Sequence, residues 1–217
     1  PMPQAPIESS TGLTMGQHME ITPKELDIKR ADQDKLAFAS HQNAATAFEK
    51  GYLAEEISPI AGISKDLIVR KETTIEKLST LKPVFDRSEK GTLTAGNSSP
   101  LTDGASALLL MEESFAKKNG YEPLAYIKDF EYTAIDPNDG LLMAPGVAVP
   151  RLLLRNKFLL NDFDLVEIHE AFAAQALANI KAWEEGWRES SVGTINMNKV
   201  NVNGSSLALG HPFAATG

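Results

Sequence analysis

The sequence contains no cysteine, which excludes a disulfide, a thiolate metal site and a cysteine nucleophile among these residues. No apolar run approaches the roughly 18 residues that a bilayer-spanning helix needs. The opening stretch, PMPQAPIESSTG, lacks the charged and apolar regions of a secretory signal, so the expected location is cytoplasmic. Positive charge is in short supply as well: 21 Lys and Arg stand against 29 Asp and Glu, for a formal net charge of -8. A chain of that sign offers no general attraction to nucleic acid or to an anionic membrane, so any basic residue that matters acts locally. Neither a P-loop lysine pattern nor a dinucleotide glycine fingerprint occurs, which leaves nucleotide hydrolysis and hydride transfer without support. No serine lies in a Gly-x-Ser-x-Gly frame, which removes the serine hydrolase elbow.

What is present describes a globular chain of 217 residues, 42% of them apolar, long enough to bury a sizeable core. Pro1, Pro3 and Pro6 predict an extended entry segment. Leu36, Ala37, Ala44, Ala47 and Phe48 recur at helical spacing and predict one amphipathic helix from Asp32 to Lys50, ended by Gly51. From Ala54 to Phe85 no long period of either kind appears, and the segment reads as an irregular excursion. In GTLTAGNSSPLTDGASALLLMEESFAKKNG a short β-type run reaches Asn97. A helix then starts near Asp103, runs through the apolar Ala105 to Met111, and ends at Gly120. LAYIKDFEYTA alternates Phe130 and Tyr132 with Asp129 and Glu131, the period of a half-buried strand. A helix is expected around Pro150 to Lys157, a strand at DFDLVEI, a helix at EAFAAQALANIKAWEEGW and a strand at KVNVNG. Strands alternating with helices give an α/β layered architecture, whose sites are expected at strand-to-helix turns. Three such turns stand out: NSSPLTDG, IHEAFAAQ and GSSLALGHP.

His211 lies between Gly210 and Pro212. Proline favours the first position of a helix, which would place the imidazole at a helix N-terminus, where the dipole lowers its pKa and favours the neutral ring. Such a ring accepts a proton from a nucleophile or donates a hydrogen bond to an oxyanion. The plainer alternative is a turn histidine that satisfies loop carbonyls. His169 ends an apolar run and Glu170 is read as opening a helix, so the two histidines could share a cleft. A zinc helix would need a second histidine four residues after His169, and that position holds Ala173; no metal is expected. His18, read as lying on a loop, and His41, on the amphipathic helix, are expected to be ordinary surface or satisfied core residues. Gly91, Gly96 and Gly104 frame a hydroxyl-rich turn whose amides could meet an anion or an amide-bearing ligand.

Taken in order, GTLTAGNSSPLTDGASALLLM, IHEAFAAQ and NVNGSSLALGHPFAATG resemble three signature regions of the thiolase family. LTMGQHMEIT and LSTLKPVF resemble the family's loop-domain elements, so the likeness runs from about Thr14 to the last residue. His-Glu-Ala-Phe, where most biosynthetic members have Asn-Glu-Ala-Phe, makes the sequence most similar to degradative thiolases of fatty-acid β-oxidation complexes, such as trifunctional-enzyme β subunits. The resemblance implies a duplicated α/β/α/β/α layered fold with an inserted loop domain, incomplete in this chain. Residues 1 to 88 would be most of the loop domain covering acyl-CoA, 89 to 120 the end of the first half, and 121 to 217 the start of the second.

The resemblance also implies chemistry and partners. Family members split a 3-ketoacyl-CoA with the thiol of CoA, or run the reverse Claisen condensation, with CoA as substrate and no resident cofactor. A nucleophilic cysteine takes the acyl group and a second cysteine exchanges protons. His211 matches the histidine that activates the nucleophile and hydrogen-bonds the thioester oxygen, with Gly210 beside it in the CoA site. His169 matches the position whose asparagine orients a water in the same oxyanion hole. Ser99 matches the serine at the pantetheine arm, Met15 and Phe172 match apolar contacts at the thioester end, and Arg70 aligns with an arginine near the CoA nucleotide. Thr14 stands where many relatives have histidine, and Ser205 replaces the second glycine of an NGG element. Both family cysteines are absent; their places fall before Pro1 and beyond Gly217, so an internal piece of a longer protein is expected. A homodimer or tetramer is implied, with a multifunctional hydratase-dehydrogenase subunit as a candidate partner. Two rivals are a nonenzymatic thiolase-like acyl-CoA carrier or complex subunit, and a ketoacyl-synthase-type condensing enzyme, against which TAGN and GHP argue.

Overall fold

The structure, a computed structural model, describes residues 7–213 and 215–216. Seven α-helices are present among them. Thr14 opens α1 (Met15–Glu25) through a reciprocal capping box with Gln17, which satisfies two amides that the first turn would leave free. The long helix α2 (Arg30–Glu49) carries the stripe Gln33, Leu36, Ala37, Ser40, His41, Ala44 and Ala47 on its buried face, and Gly51 follows it at φ +74. Short helices α3 (Ile75–Ser79) and α4 (Glu113–Lys118) come next, then α5 (Pro145–Asn156), α6 (Ala173–Glu185) and α7 (Ser206–Leu209). Helix α6 packs against α1, α2 and α5, and α2 also packs against α3 and α7.

The main core joins Leu36, Leu78, Leu153, Ile168, Ile180, Trp183, Val200 and Leu207. Small residues on α2 let the loop before α7 come close: a Cβ added at Gly204 would sit 2.6 Å from Ala44 Cβ and 2.7 Å from the Ser40 carbonyl oxygen. Gly204 also has φ +78, so both space and backbone conformation call for glycine there.

The sequence expectations for α2, for the irregular stretch after it and for α6 agree with these elements. Helix α5 begins earlier than expected, with Pro145 in its first turn and Pro150 inside it. Other expectations are corrected. No helix starts at Asp103; residues 101–112 lack regular secondary structure and only Glu113–Lys118 is helical. Leu108 is 83% exposed and Leu109 and Leu110 are exposed too. Most helical stability comes from burying an apolar face, and this run meets none among the described residues.

The run from Leu124 to Ala134 is not a strand, and among the described residues no segment pairs with it. It lies along α5 instead, where Arg155 bonds the Asp129 and Glu131 carboxylates and the Phe130 carbonyl. Phe130 and Tyr132 face outward while Glu131 is half-buried, the reverse of the expected faces. DFDLVEI and KVNVNG meet through a single parallel bridge, Val166 to Val200, rather than as full strands. His18 lies on α1, not on a loop, and is buried with its Nε2 2.7 Å from Thr11 Oγ1.

Candidate active site

The three turns singled out in the sequence converge. Ser98 bridges to Phe172 and Leu101 bridges to His211. The Ser99 amide donates to the Ala171 carbonyl at 2.9 Å, and the Ala173 amide donates to the Asn97 carbonyl at 2.9 Å. Both bonds join turn to turn, and the expectation that the 91–104 turn offers its amides to an anion does not hold for the Ser99 amide. Asn97 is fully buried; it accepts from the Thr94 amide and donates to Asp34 on α2 and to the Thr92 carbonyl. That anchors the NSSP turn to the core before it reaches the histidines.

Gly210 fixes the approach of His211. Its φ is +97, and a Cβ there would lie 2.5 Å from Thr102 Cγ2, so the glycine lets the loop press onto the segment at Thr102. The imidazoles of His169 and His211 end with centroids 4.2 Å apart, tilted by 43°, and the Phe213 ring is 4.7 Å beyond His211. Burial pushes both pKa values down; His169 reaches about 4, with burial the larger cause and the neighbouring His211 the smaller. Both rings are neutral near pH 7. His211 follows the C-terminal end of α7, and after it the Thr216 amide donates to the Pro212 carbonyl at 3.0 Å, the spacing of a first helical turn.

Glu170 does not open α6, which begins at Ala173. It is fully buried and receives Ser40 Oγ at 2.7 Å, Asn201 Nδ2 at 2.7 Å and the Leu207 amide at 3.4 Å. Burial pushes its carboxyl upward in pKa while these three donors favour the carboxylate. Asn201 acts as a length of artificial strand: its amide side chain both accepts from the Ile168 N–H and donates to the Ile168 carbonyl, at 2.7 and 2.9 Å. Ser40, Glu170, Asn201, Ser205 and Ser206 form the support of the site that sequence reasoning missed. The available signal was an acidic residue between an apolar run and an Ala-rich helix, with no nearby cation, a position that calls for neutral donors.

Met15 and Phe172 come together in one apolar cluster with Met19, Leu93 and Phe85, and Phe85 packs edge-on to Phe172 at 5.7 Å. A cavity of about 530 Å³ is lined by His169 together with Ile135, Leu142, Val149, Ile168 and Trp183. Ser99 is half-buried on the shared turn. Arg70 stands apart from this group: its amide donates to His41 Nδ1 at 3.2 Å, its side chain is exposed, and no bond among the described residues links it to either site histidine. His41 is thereby a satisfied core histidine, its pKa lowered to about 4 by burial and by Arg70.

Comparison with known proteins decides the family. The thiolase N-terminal domain model matches residues 2–114 and the thiolase C-terminal domain model matches residues 121–217. The chain belongs to the thiolase family. It is 49% identical to the 3-ketoacyl-CoA thiolase of Shewanella woodyi and 50% identical to that of Pseudoalteromonas atlantica, in each case over all of this chain and 52% of the relative. Among solved structures it is similar to the Bacillus anthracis acetyl-CoA acetyltransferase, with TM-score 0.84, 37% identity, and coverage of 97% of this chain and 52% of that one. It is also similar to human mitochondrial 3-ketoacyl-CoA thiolase, with TM-score 0.82 and 33% identity, over 96% of this chain and 51% of that one. A CoA complex of that human enzyme matches with TM-score 0.81, 33% identity, and coverage of 95% of this chain and 50% of that one. The chain thus has the α/β thiolase fold and spans about half the length of these relatives. The paired turns join the two thiolase domains, since Ser98, Ser99 and Leu101 come from the N-terminal match and Ala171, Phe172 and His211 from the C-terminal one.

Proposed function

We propose that, within a protein of its relatives' length, these residues form part of a 3-ketoacyl-CoA thiolase that cleaves its substrate into acetyl-CoA and a shortened acyl-CoA. The observation that carries this reading is the pair of neutral imidazoles, 4.2 Å apart, held where the two thiolase domains meet. The nucleophilic thiol comes from a cysteine outside these 217 residues. His211 takes its proton, the thiolate attacks the C3 carbonyl, and the C2–C3 bond breaks with its electron pair passing to the thioester oxygen of the departing acetyl-CoA enolate. N–H groups of His169 and His211 meet that oxygen. A second cysteine gives its proton to C2 and regains one from the CoA thiol; the CoA thiolate then takes the acyl group, and the expelled enzyme thiolate recovers its proton from His211.

Met15 and Phe172 line the thioester end, Ser99 and Gly210 border the pantetheine arm, and Arg70 serves the CoA nucleotide as a local cation in an acidic chain. The CoA complex of the human relative supports CoA as the ligand. Residues 1 to 88 act as the loop domain, 89 to 120 end the first half, and the second half starts at 121, a division supported by the family-model edge at that residue. The intact protein works in fatty-acid β-oxidation, in the cytoplasm, as a homodimer or tetramer, with a hydratase-dehydrogenase subunit as its partner.

A second reading is an acyl-CoA-binding thiolase relative without turnover, in which the residues outside these 217 also lack the two cysteines. Incubating the intact protein with a 3-ketoacyl-CoA and CoA separates the two. Acetyl-CoA and a chain-shortened acyl-CoA are expected. Binding with no products supports the carrier, and faster reaction with an acyl-carrier-protein thioester than with the CoA thioester defeats the assignment to thiolysis.

A further inference from the structure

Ser206 begins α7 and is buried. Its Oγ lies 2.6 Å from His169 Nδ1. The contact is set from both sides, because the residues flanking Ser206 are tied to the residues flanking His169. Ser205 Oγ donates to the Ile168 carbonyl at 2.9 Å, and the Leu207 amide reaches Glu170 Oε2 at 3.4 Å. Ser40 on α2 closes the bracket, accepting from the Ser205 amide at 3.1 Å and donating to Glu170 at 2.7 Å. Two runs of three consecutive residues, 168–170 and 205–207, are therefore registered on each other.

Among the described residues the Ser206 hydroxyl has no bonding partner besides His169 Nδ1. A hydroxyl carries one proton and needs one acceptor, and a neutral imidazole has one acceptor nitrogen. Donation from Oγ to Nδ1 satisfies both groups. The reverse, Nδ1–H to Oγ, leaves the hydroxyl proton buried with nothing to receive it. We propose that Ser206 is a positioning residue that fixes His169 as the Nε2–H tautomer, making it a direct hydrogen-bond donor and leaving His211 as the base of the pair. The donor role toward an enolate oxygen rests on the thiolase reading above; the tautomer assignment rests on the geometry alone.

The protonation pattern is read from two-bond nitrogen-proton correlations of the intact protein labelled with 15N-histidine at neutral pH, with His169 assigned by the signal lost in His169→Asn. The expected pattern has Nδ1 unprotonated and Nε2 protonated. Ser206→Ala should give a mixed or inverted pattern at His169 and lower kcat in thiolysis by about ten- to a hundredfold, as loss of an orienting partner does for ligating histidines, with KM little changed. Ser206→Thr, which keeps the hydroxyl, should restore the pattern and most of kcat. A protonated Nδ1 in the wild type overturns the proposal, and so does an unchanged pattern in Ser206→Ala or a rise in KM with kcat intact. If Ser206→Ala fails to fold, the wild-type pattern alone decides. A protein with the expected tautomer and no thiolysis refutes the functional reading only; thiolysis with Nδ1 protonated refutes the tautomer assignment only.

Discussion

Replacing Asn201 with alanine removes three buried hydrogen bonds at once. The Ile168 N–H and C=O lose partners at 2.7 and 2.9 Å, and Glu170 Oε1 loses one at 2.7 Å. All three groups belong to buried residues, so each orphan costs about 1 kcal/mol or somewhat more. Asn201 also sits at φ +47, where alanine is disfavoured by about 1 kcal/mol more. The total is about 4 kcal/mol, a large share of the roughly 5–15 kcal/mol that holds a domain folded. In urea, with a slope of about 2 kcal/mol/M, the unfolding midpoint should fall by about 2 M. Asn201→Gly loses the same bonds but tolerates the backbone, so its midpoint should fall about 0.5 M less. A midpoint for Asn201→Ala within about 0.3 M of wild type would refute the assignment of these bonds as a support of the site.

Stability should also depend on pH through the buried histidines. His41 and His169 titrate near 4 in the folded state, below the ordinary 6.5. Above pH 6.5 both states are neutral there and nothing is lost; as pH falls from 6.5 toward 4 the unfolded chain binds protons first and stability drops. Urea midpoints measured between pH 7 and 5 should decline, and His41→Asn, which keeps an acceptor for the Arg70 amide, should flatten that slope. Gly210→Ala brings a Cβ to 2.5 Å from Thr102 at φ +97, and should lower both stability, by about 2 kcal/mol, and thiolysis, since the loop that delivers His211 must move. Equal melting and activity for that variant would contradict the close approach of Gly210 to Thr102.

The histidine turns and the two long helices were legible in the sequence for local reasons. Helix α2 shows its buried stripe in the spacing of Leu36, Ala37, Ala44 and Ala47, and Gly210-His211-Pro212 marks a constrained turn without knowledge of its neighbours. Residues 105–111 misled because an apolar run predicts a helix only if a face awaits it, and Leu108 meets none among the described residues. The support around Glu170 was hidden for another reason. Ser40 is 130 positions from Glu170, and Asn201 is 31 away, so the need of a buried carboxylate for neutral donors is visible locally while the donors are not. Thr102 against Gly210 and Ser206 against His169 are hidden in the same way, as contacts made only when the turns meet.

The role of His211 is tested most directly by rapid-quench mass measurement of the intact protein mixed with a 3-ketoacyl-CoA in the absence of CoA. The wild type should gain one acyl group per active site in a burst, and His211→Ala should show no burst. A burst of equal size and rate in the variant would contradict the assignment of His211 as the base that activates the nucleophile.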